Sequence, residues 1–261
     1  MRLRVYQCGV LKSRKHLFTM GRGVGVPFTV PVPFFLIEHP KGLVLYDTGN
    51  AKEVAIDKIK HWGQGVCDAY DPVMTVDDFV VEQLRRDGFT PENVTHVVLS
   101  HLHLDHAGGV GAFPNAKYIV QRAELHYAYV PDFFQKGAYI RADFAKPDLD
   151  WVLLDGDGDL RGDLFGDGTV KILATPGHTP GHQSLLVRLP VSGPWLLTGD
   201  SAYTEEIMAE DVLPGLVQSP SDAVKSIATM RHLRDTQGYR VITGHDPEAF
   251  AKLRLSPHVY P

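Results

Sequence analysis

Residues 100–109 read Ser-His-Leu-His-Leu-Asp-His-Ala-Gly-Gly. Four side chains able to hold a metal ion, His101, His103, Asp105 and His106, fall within six residues. Neutral imidazole and carboxylate are good ligands for zinc and similar divalent ions. Two histidines spaced i, i+2 in extended backbone point to one side, so His101 and His103 can grip one ion. Asp105 and His106, past the next bend, can serve a second. The run 94–100 (VTHVVLS) reads as a buried strand leading straight into this loop, which argues against a merely solvated polar turn.

The same arrangement recurs along the chain. The run VKILATPG precedes His178, WLLTG precedes Asp200 and VITG precedes His245. Each is a strand-like segment ending in a ligand-type residue, so four strand ends could meet at one edge of a sheet or sandwich, where a rigid scaffold holds the site. Together His101, His103, Asp105, His106, His178, Asp200 and His245 make seven groups. That is too many for one tetrahedral ion with an open position, and it suits two ions sharing a carboxylate. Two metals roughly 3.5–4 Å apart can hold a bridging hydroxide, a nucleophile that needs no serine or cysteine. Ser201 lies in no nucleophile elbow.

The rest of the chain sets bounds. Its 261 residues, 44% hydrophobic and 22% charged, are ordinary globular composition, long enough to bury a core without disulfides. We find no linker or repeat, so residues 1–261 read as one domain. The net charge of −5 and the lack of a Lys/Arg-rich stretch disfavour a nucleic-acid partner. Cys8 and Cys67 sit in no CxxC or Cys/His cluster and read as reduced thiols. The N-terminus lacks an apolar signal core, and the longest apolar stretch, 30–37, contains two prolines and is far below a membrane span. A cytoplasmic protein is the expectation.

Runs 34–37 and 43–46 predict a hairpin ending in Asp47-Thr48-Gly49-Asn50. Residues 75–87 predict a helix capped by Thr75 and stopped by Gly88, and 220–235 a helix with Ser219 as cap and Pro220 in its first turn. Further strands are expected at 118–121, 152–154, 170–174, 184–188, 195–198 and 240–243, with a helix at 122–130. The mixture is α/β without a regular βαβ alternation. Two motifs are set aside: the glycines of 20–27 precede a β-type run rather than the helix that a phosphate loop needs, and DGDGD at 155–159 lacks the glycine and glutamate of a calcium loop.

HLHLDHAGG, the DTG after the first hairpin, TPGHTPGH at 175–182, LLTGD at 196–200 and TGH at 243–245 resemble, in order, the motifs of the metallo-β-lactamase superfamily. The resemblance implies an αββα sandwich with a dinuclear site on its edge. It gives His101, His103 and His178 to one metal, Asp105, His106 and His245 to the other, and Asp200 as the bridge, with Asp47 orienting a ligand histidine. His182 is expected to play a structural hydrogen-bonding part.

Within that superfamily the chain departs from the class B β-lactamases, which mostly have a cysteine ligand. With 16 residues after His245 the C-terminal helical domain of glyoxalase II is not expected here, nor the basic surface of the nucleases or the flavin domain of the flavodiiron proteins. The chain is similar to the N-acyl-homoserine lactone lactonases: Tyr203 stands three residues after Asp200, and VPVPFFLIEHP at 30–40, HWGQGVCDAYDPV at 61–73 and YIRADF at 139–144 add to the likeness. The resemblance is closest to the subgroup that includes γ-butyrolactone-cleaving lactonases. It implies opening of the lactone ring, which quenches quorum signals, with Tyr203 at the substrate carbonyl or leaving oxygen and Asp105 as ligand and proton carrier. The expected cofactors are two divalent ions, zinc first, with cobalt, manganese and iron also fitting the donor set. Another small-lactone or ester hydrolase, a glyoxalase II-like thioesterase and a metal-binding protein without turnover remain alternatives. A homodimer is suggested by resemblance and by apolar loop residues. Met20, Phe28 and Trp62 are candidates either for an acyl-chain groove or for core packing.

Overall fold

The computed structural model of the chain describes residues 1–156 and 162–261. Eleven strands form two sheets among these residues. They are β1 (Arg2–Arg14), β2 (Pro27–His39), β3 (Gly42–Tyr46), β4 (Asp71–Val73), β5 (Val94–Val98), β6 (Lys117–Gln121), β7 (Trp151–Leu154), β8 (Val170–Ala174), β9 (Gln183–Leu189), β10 (Gly193–Leu197) and β11 (Arg240–Ile242). The larger sheet runs β4-β1-β2-β3-β5-β6-β7 and the smaller β11-β10-β9-β8. Helices α1 (Lys52–Trp62), α2 (Gln64–Ala69), α3 (Val80–Arg86), α4 (Arg122–Tyr129), α5 (Arg141–Phe144), α6 (Glu205–Ala209), α7 (Pro220–Gln237) and α8 (Pro247–Phe250) lie between them in sequence. No described helix is long and apolar enough to cross a membrane.

Strand alternation sorts the side chains into layers. Phe35 and Ile37 of β2, Val44 and Tyr46 of β3, Val98 of β5 and Ile119 of β6 pack with Leu185 and Val187 of β9 and Trp195 and Leu197 of β10. That layer is the seam between the sheets. Their neighbours Leu36, Leu45, Val97, Val120 and Leu196 face the other way, into a cluster with Val54, Val80, Leu84 and Ala128 from helices and with Ile227, Met230 and Leu233 of α7. Helices therefore cover the outer faces, and the architecture is the expected αββα sandwich.

The hairpin of β2 and β3 forms as expected, antiparallel with Phe35 opposite Tyr46. Helix α7 starts at Pro220, where the Ser219 side chain accepts from the Asp222 amide. Three features differ from the sequence expectation. The 13-residue strand β1 has no signature in the sequence pattern: its arginines and lysines interrupt any apolar run, yet Leu3 and Val5 face the seam while Tyr6, Cys8 and Leu11 face the helices. Helices α1 and α2 also lie in a stretch given no assignment. The helix expected at 75–87 breaks at Phe79, which is extended (ψ 140), so a short 3₁₀ turn at Val76–Asp78 precedes α3. Thr75 and Asp78 cap that turn reciprocally, and the Asp78 carbonyl accepts from Gln83 Nε2 at 2.6 Å instead of continuing a helix. The acidic run 155–159 lies partly outside the described residues.

The sheets bring five strand ends to one edge. β3 runs parallel to β5, and β11 parallel to β10, so Asp47, the 100–109 loop, Asp200 and His245 emerge together, joined by the 175–182 loop after β8. The 100–109 loop is packed tightly at Gly108: a Cβ there would meet Ala51 N at 2.0 Å and Asn50 C at 2.2 Å. Backbone atoms cannot yield as a side chain can. Gly108→Ala is expected to cost roughly 3 kcal/mol or more, read as a lower denaturant midpoint. An unchanged midpoint would mean that the 50–51 turn moves freely.

Candidate metal centre

The seven ligand-type residues meet at this edge as two adjoining groups. His101, His103, His178 and Asp200 form one and Asp105, His106 and His245 the other, with the ligand atoms of each group within 4.8 Å of one another. All seven are buried. Asp200 faces both groups. Its Oδ2 lies 3.4 Å from His178 Nε2 and 3.6 Å from His101 Nε2, while its Oδ1 lies 3.2 Å from both His106 Nε2 and His245 Nε2. Asp105 leans on the second group, with Oδ2 3.4 Å from His245 Nε2 and Oδ1 3.7 Å from His106 Nε2.

The outward nitrogens fix the tautomers. His178 Nδ1 lies 2.8 Å from the Leu216 carbonyl and His245 Nδ1 2.8 Å from the Pro31 carbonyl, so each donates there and turns an Nε2 lone pair inward. His106 Nδ1 donates to Asp47 Oδ2 at 2.8 Å. Ser100 Oγ also donates to that oxygen, at 2.8 Å, which leaves it to accept from His101 Nδ1 at 2.9 Å. Asp47 thus fixes the orientation of the His106 ring, from a backbone held at φ +58. His103 is turned the other way and presents Nδ1 to the group. In the first group His178 Nε2 then sits 3.1 Å from His101 Nε2 and 3.0 Å from His103 Nδ1. The lone pairs of His178 Nε2 and His101 Nε2 repel at this distance unless a cation lies among them, and buried His106 Nε2 and Asp200 Oδ1 have no hydrogen-bond partner among the described residues. The donor set fits divalent metal ions.

Electrostatics point the same way. Burial, reinforced by the neighbouring imidazoles, holds His101 and His103 well below the usual histidine range, and burial lowers His178 as well. Neutral imidazole is the form that binds metal. Burial also opposes charge on His106 and His245, but Asp200 and Asp105 carry both above the usual range, with Asp47 adding to His106. The second group therefore attracts positive charge. Burial works against the Asp200 carboxylate, yet His106 and His245 hold it well below the usual range.

A cavity opens over these groups. His103, Asp105, Asp200 and His245 line its floor, with Tyr203 beside them, and Leu11, Phe18, Tyr70, Leu104, Ala138 and Leu216 form apolar walls. Burial, then Asp200, pushes the Tyr203 phenol well above its usual range, so it keeps its proton at neutral pH. Its hydroxyl is 3.3 Å from His178 Nδ1, whose shorter bond goes to Leu216. His182 stays out of both groups: Nε2 accepts from the Asp200 amide at 2.9 Å, and Nδ1 meets Thr175 and Ser201 hydroxyls. Met20, Phe28 and Trp62 do not line the cavity. Met20 is exposed, Trp62 is buried, and Phe28 packs behind Phe18 with ring centroids 5.8 Å apart. The sequence reading missed Phe18, Leu104, Ala138 and Leu216, which arrive from separate loops with no shared pattern; Tyr70 lay within the similar stretch 61–73.

A family model described as the metallo-beta-lactamase superfamily matches residues 28–245. The N-acyl homoserine lactonase AttM of Azorhizobium caulinodans is 50% identical over 260 residues, covering all of this chain and 98% of that protein. The chain belongs to the metallo-beta-lactamase superfamily, in its N-acyl homoserine lactonase family. The N-acyl homoserine lactonase AiiA of Bacillus thuringiensis subsp. kurstaki is 34% identical, covering 89% of this chain and 88% of its own. A solved structure of an N-acyl homoserine lactone hydrolase, with the product N-hexanoyl-L-homoserine at its catalytic metal center, has a TM-score of 0.87 at 31% identity and covers 99% and 98% of the two chains.

Proposed function

We propose that the protein hydrolyses the lactone ring of N-acyl-homoserine lactones and so quenches quorum signals, using two divalent ions held by the two groups that Asp200 joins. The observation that carries this reading is the cavity floor: two buried ligand groups share Asp200 beside an un-ionised Tyr203 hydroxyl, in a chain half identical to proteins named N-acyl homoserine lactonase. His101, His103 and His178 hold one ion, Asp105, His106 and His245 the other. Such a pair, when bound, polarises an ester carbonyl and ionises water near neutral pH. Zinc suits these donors, and cobalt, manganese or iron would also fit.

The chain's own groups do the rest. The apolar walls take the acyl chain and exclude water. Tyr203 donates a hydrogen bond to the carbonyl oxygen as negative charge gathers on it, where a preorganised donor has most effect. Hydrolysis breaks the bond between the carbonyl carbon and the ring oxygen and leaves a proton on that oxygen. Asp105, at the cavity floor, moves that proton. Asp47 keeps His106 turned inward. Asp47→Asn, which retains one acceptor oxygen of the two, should weaken metal binding by roughly 10–100-fold, measured by competition with a chelator. Wild-type affinity in that variant would remove Asp47 from the account.

A substrate panel tests the reading. Metal-loaded protein is offered short- and long-chain N-acyl-homoserine lactones, γ-butyrolactone, a β-lactam and a glutathione thioester, and proton release is followed. Fast opening of the acylated lactones alone supports it. Fast turnover of only the thioester or the β-lactam would overturn the substrate assignment while leaving the metal centre in place.

A further inference from the structure

Glu124 has no part in the chemistry above, yet its carboxylate is completely buried. It stands in the first turn of α4, and three donors from three places converge on it. Leu102 N, between His101 and His103, donates to Oε1 at 3.0 Å, and Tyr139 Oη to the same oxygen at 2.9 Å. Thr179 Oγ1, next to His178, donates to Oε2 at 2.6 Å. One side chain therefore ties the loop carrying two histidines of the first group to the loop carrying the third. The segment that follows repeats the tie. Gln135 Nε2 donates to the His178 carbonyl at 2.8 Å, Leu104 N to the Ala138 carbonyl at 2.8 Å, and the Tyr139 ring meets His103 edge to face at 4.5 Å. The fit is close: a Cβ on Gly181 would lie 2.2 Å from Glu124 N.

We propose that Glu124 is a positioning residue that sets the spacing of His101, His103 and His178 and so tunes the affinity of that triad for its ion. The inference rests on the reading that these histidines hold a metal. A carboxylate is the group the place requires, because all three neighbours are donors and none needs a proton in return. A glutamine has the same shape but keeps Oε1 on Leu102 N and Tyr139 only by turning its NH₂ toward Thr179 Oγ1, so the tie to the His178 loop is reversed and all three bonds lose the charge that strengthens them while the packing stays. Groups that hold ligand loops in place typically contribute tenfold or more to metal affinity.

The test uses chelator-stripped protein, Co²⁺ as the probe and a competing chromophoric chelator, on wild type, Glu124→Gln and Thr179→Val. We expect two binding steps in wild type. In Glu124→Gln one step should weaken by about 10–100-fold and the other by less than about threefold, with the metal-free unfolding temperature within ~3 °C of wild type. Thr179→Val should weaken the same step by about 3–10-fold, and it carries the test if Glu124→Gln does not fold. Wild-type affinities in the variants, or equal weakening of both steps that tracks a lower metal-free unfolding temperature, would overturn the inference. A wild type that takes up no Co²⁺ would overturn the metal reading itself, and the inference with it.

Discussion

An Asp200→Asn variant should fold, bind metal poorly at both positions and lose about a thousandfold or more in kcat/KM, ~4 kcal/mol of transition-state stabilisation. The expectation follows from one carboxylate serving two groups. Oδ2 faces His101 and His178, and Oδ1 faces His106 and His245 at 3.2 Å. An asparagine offers one oxygen and one NH₂, so whichever way it turns, an N–H meets imidazoles or displaces a cation. It also removes the negative charge that draws cations to the second group. The hydrogen bond from the Asp200 backbone amide to His182 Nε2 survives the substitution, so the loop should keep its course. Metal content by mass spectrometry and activity on a hexanoyl-homoserine lactone are the measurements. A fully loaded, active variant would sink the shared role of Asp200.

Tyr203→Phe separates metal binding from chemistry. The ring is buried among Phe18, His178 and His245, and phenylalanine keeps its volume and its contacts. Only the hydroxyl goes. Burial and Asp200 hold that hydroxyl protonated, so it is a donor at every pH where the protein is folded and neutral-to-mildly alkaline. Losing one donor to a developing oxyanion costs roughly 10²-fold in kcat, ~2.7 kcal/mol. Metal content should remain full and the unfolding temperature close to wild type. Unchanged kinetics would remove Tyr203 from the mechanism, and loss of metal would make it a structural support of His178.

The gathering of the seven ligand-type residues was the most legible part of the sequence, because they are chemically distinctive and the four segments that carry them each follow a strand. His101, Asp200 and His245 lie just past β5, β10 and β11, so reading strand ends was enough to group them. The αββα sandwich was expected only through the family resemblance; the layering itself, with Phe35 and Ile37 on one side of β2 and Leu36 on the other, is hidden in uniformly apolar runs. Strand β1 was hidden because Arg2, Arg4 and Lys12 break its apolar pattern, although Arg2 and Arg4 simply pair with Glu38 on the neighbouring strand. The break at Phe79 is accompanied by Gln83 reaching back to the Asp78 carbonyl, a contact that the helical pattern of 75–87 does not display. Glu124 and Gln135 look like ordinary polar residues of a helix and a loop. What marks them is burial and the company of two distant ligand loops, a tertiary fact. The cavity wall was illegible for the same reason: Phe18, Tyr70, Leu104 and Leu216 are neighbours only after folding.

Reconstitution decides whether the protein opens acylated lactones through a centre of two metals. Chelator-stripped protein is titrated with Zn²⁺ while proton release from N-hexanoyl-homoserine lactone is recorded. No opening above background is expected without metal, and activity should rise to a plateau at two equivalents of Zn²⁺ per chain. Full activity in the stripped protein, a plateau at one equivalent, or a fully loaded protein that leaves the lactone intact would contradict this expectation.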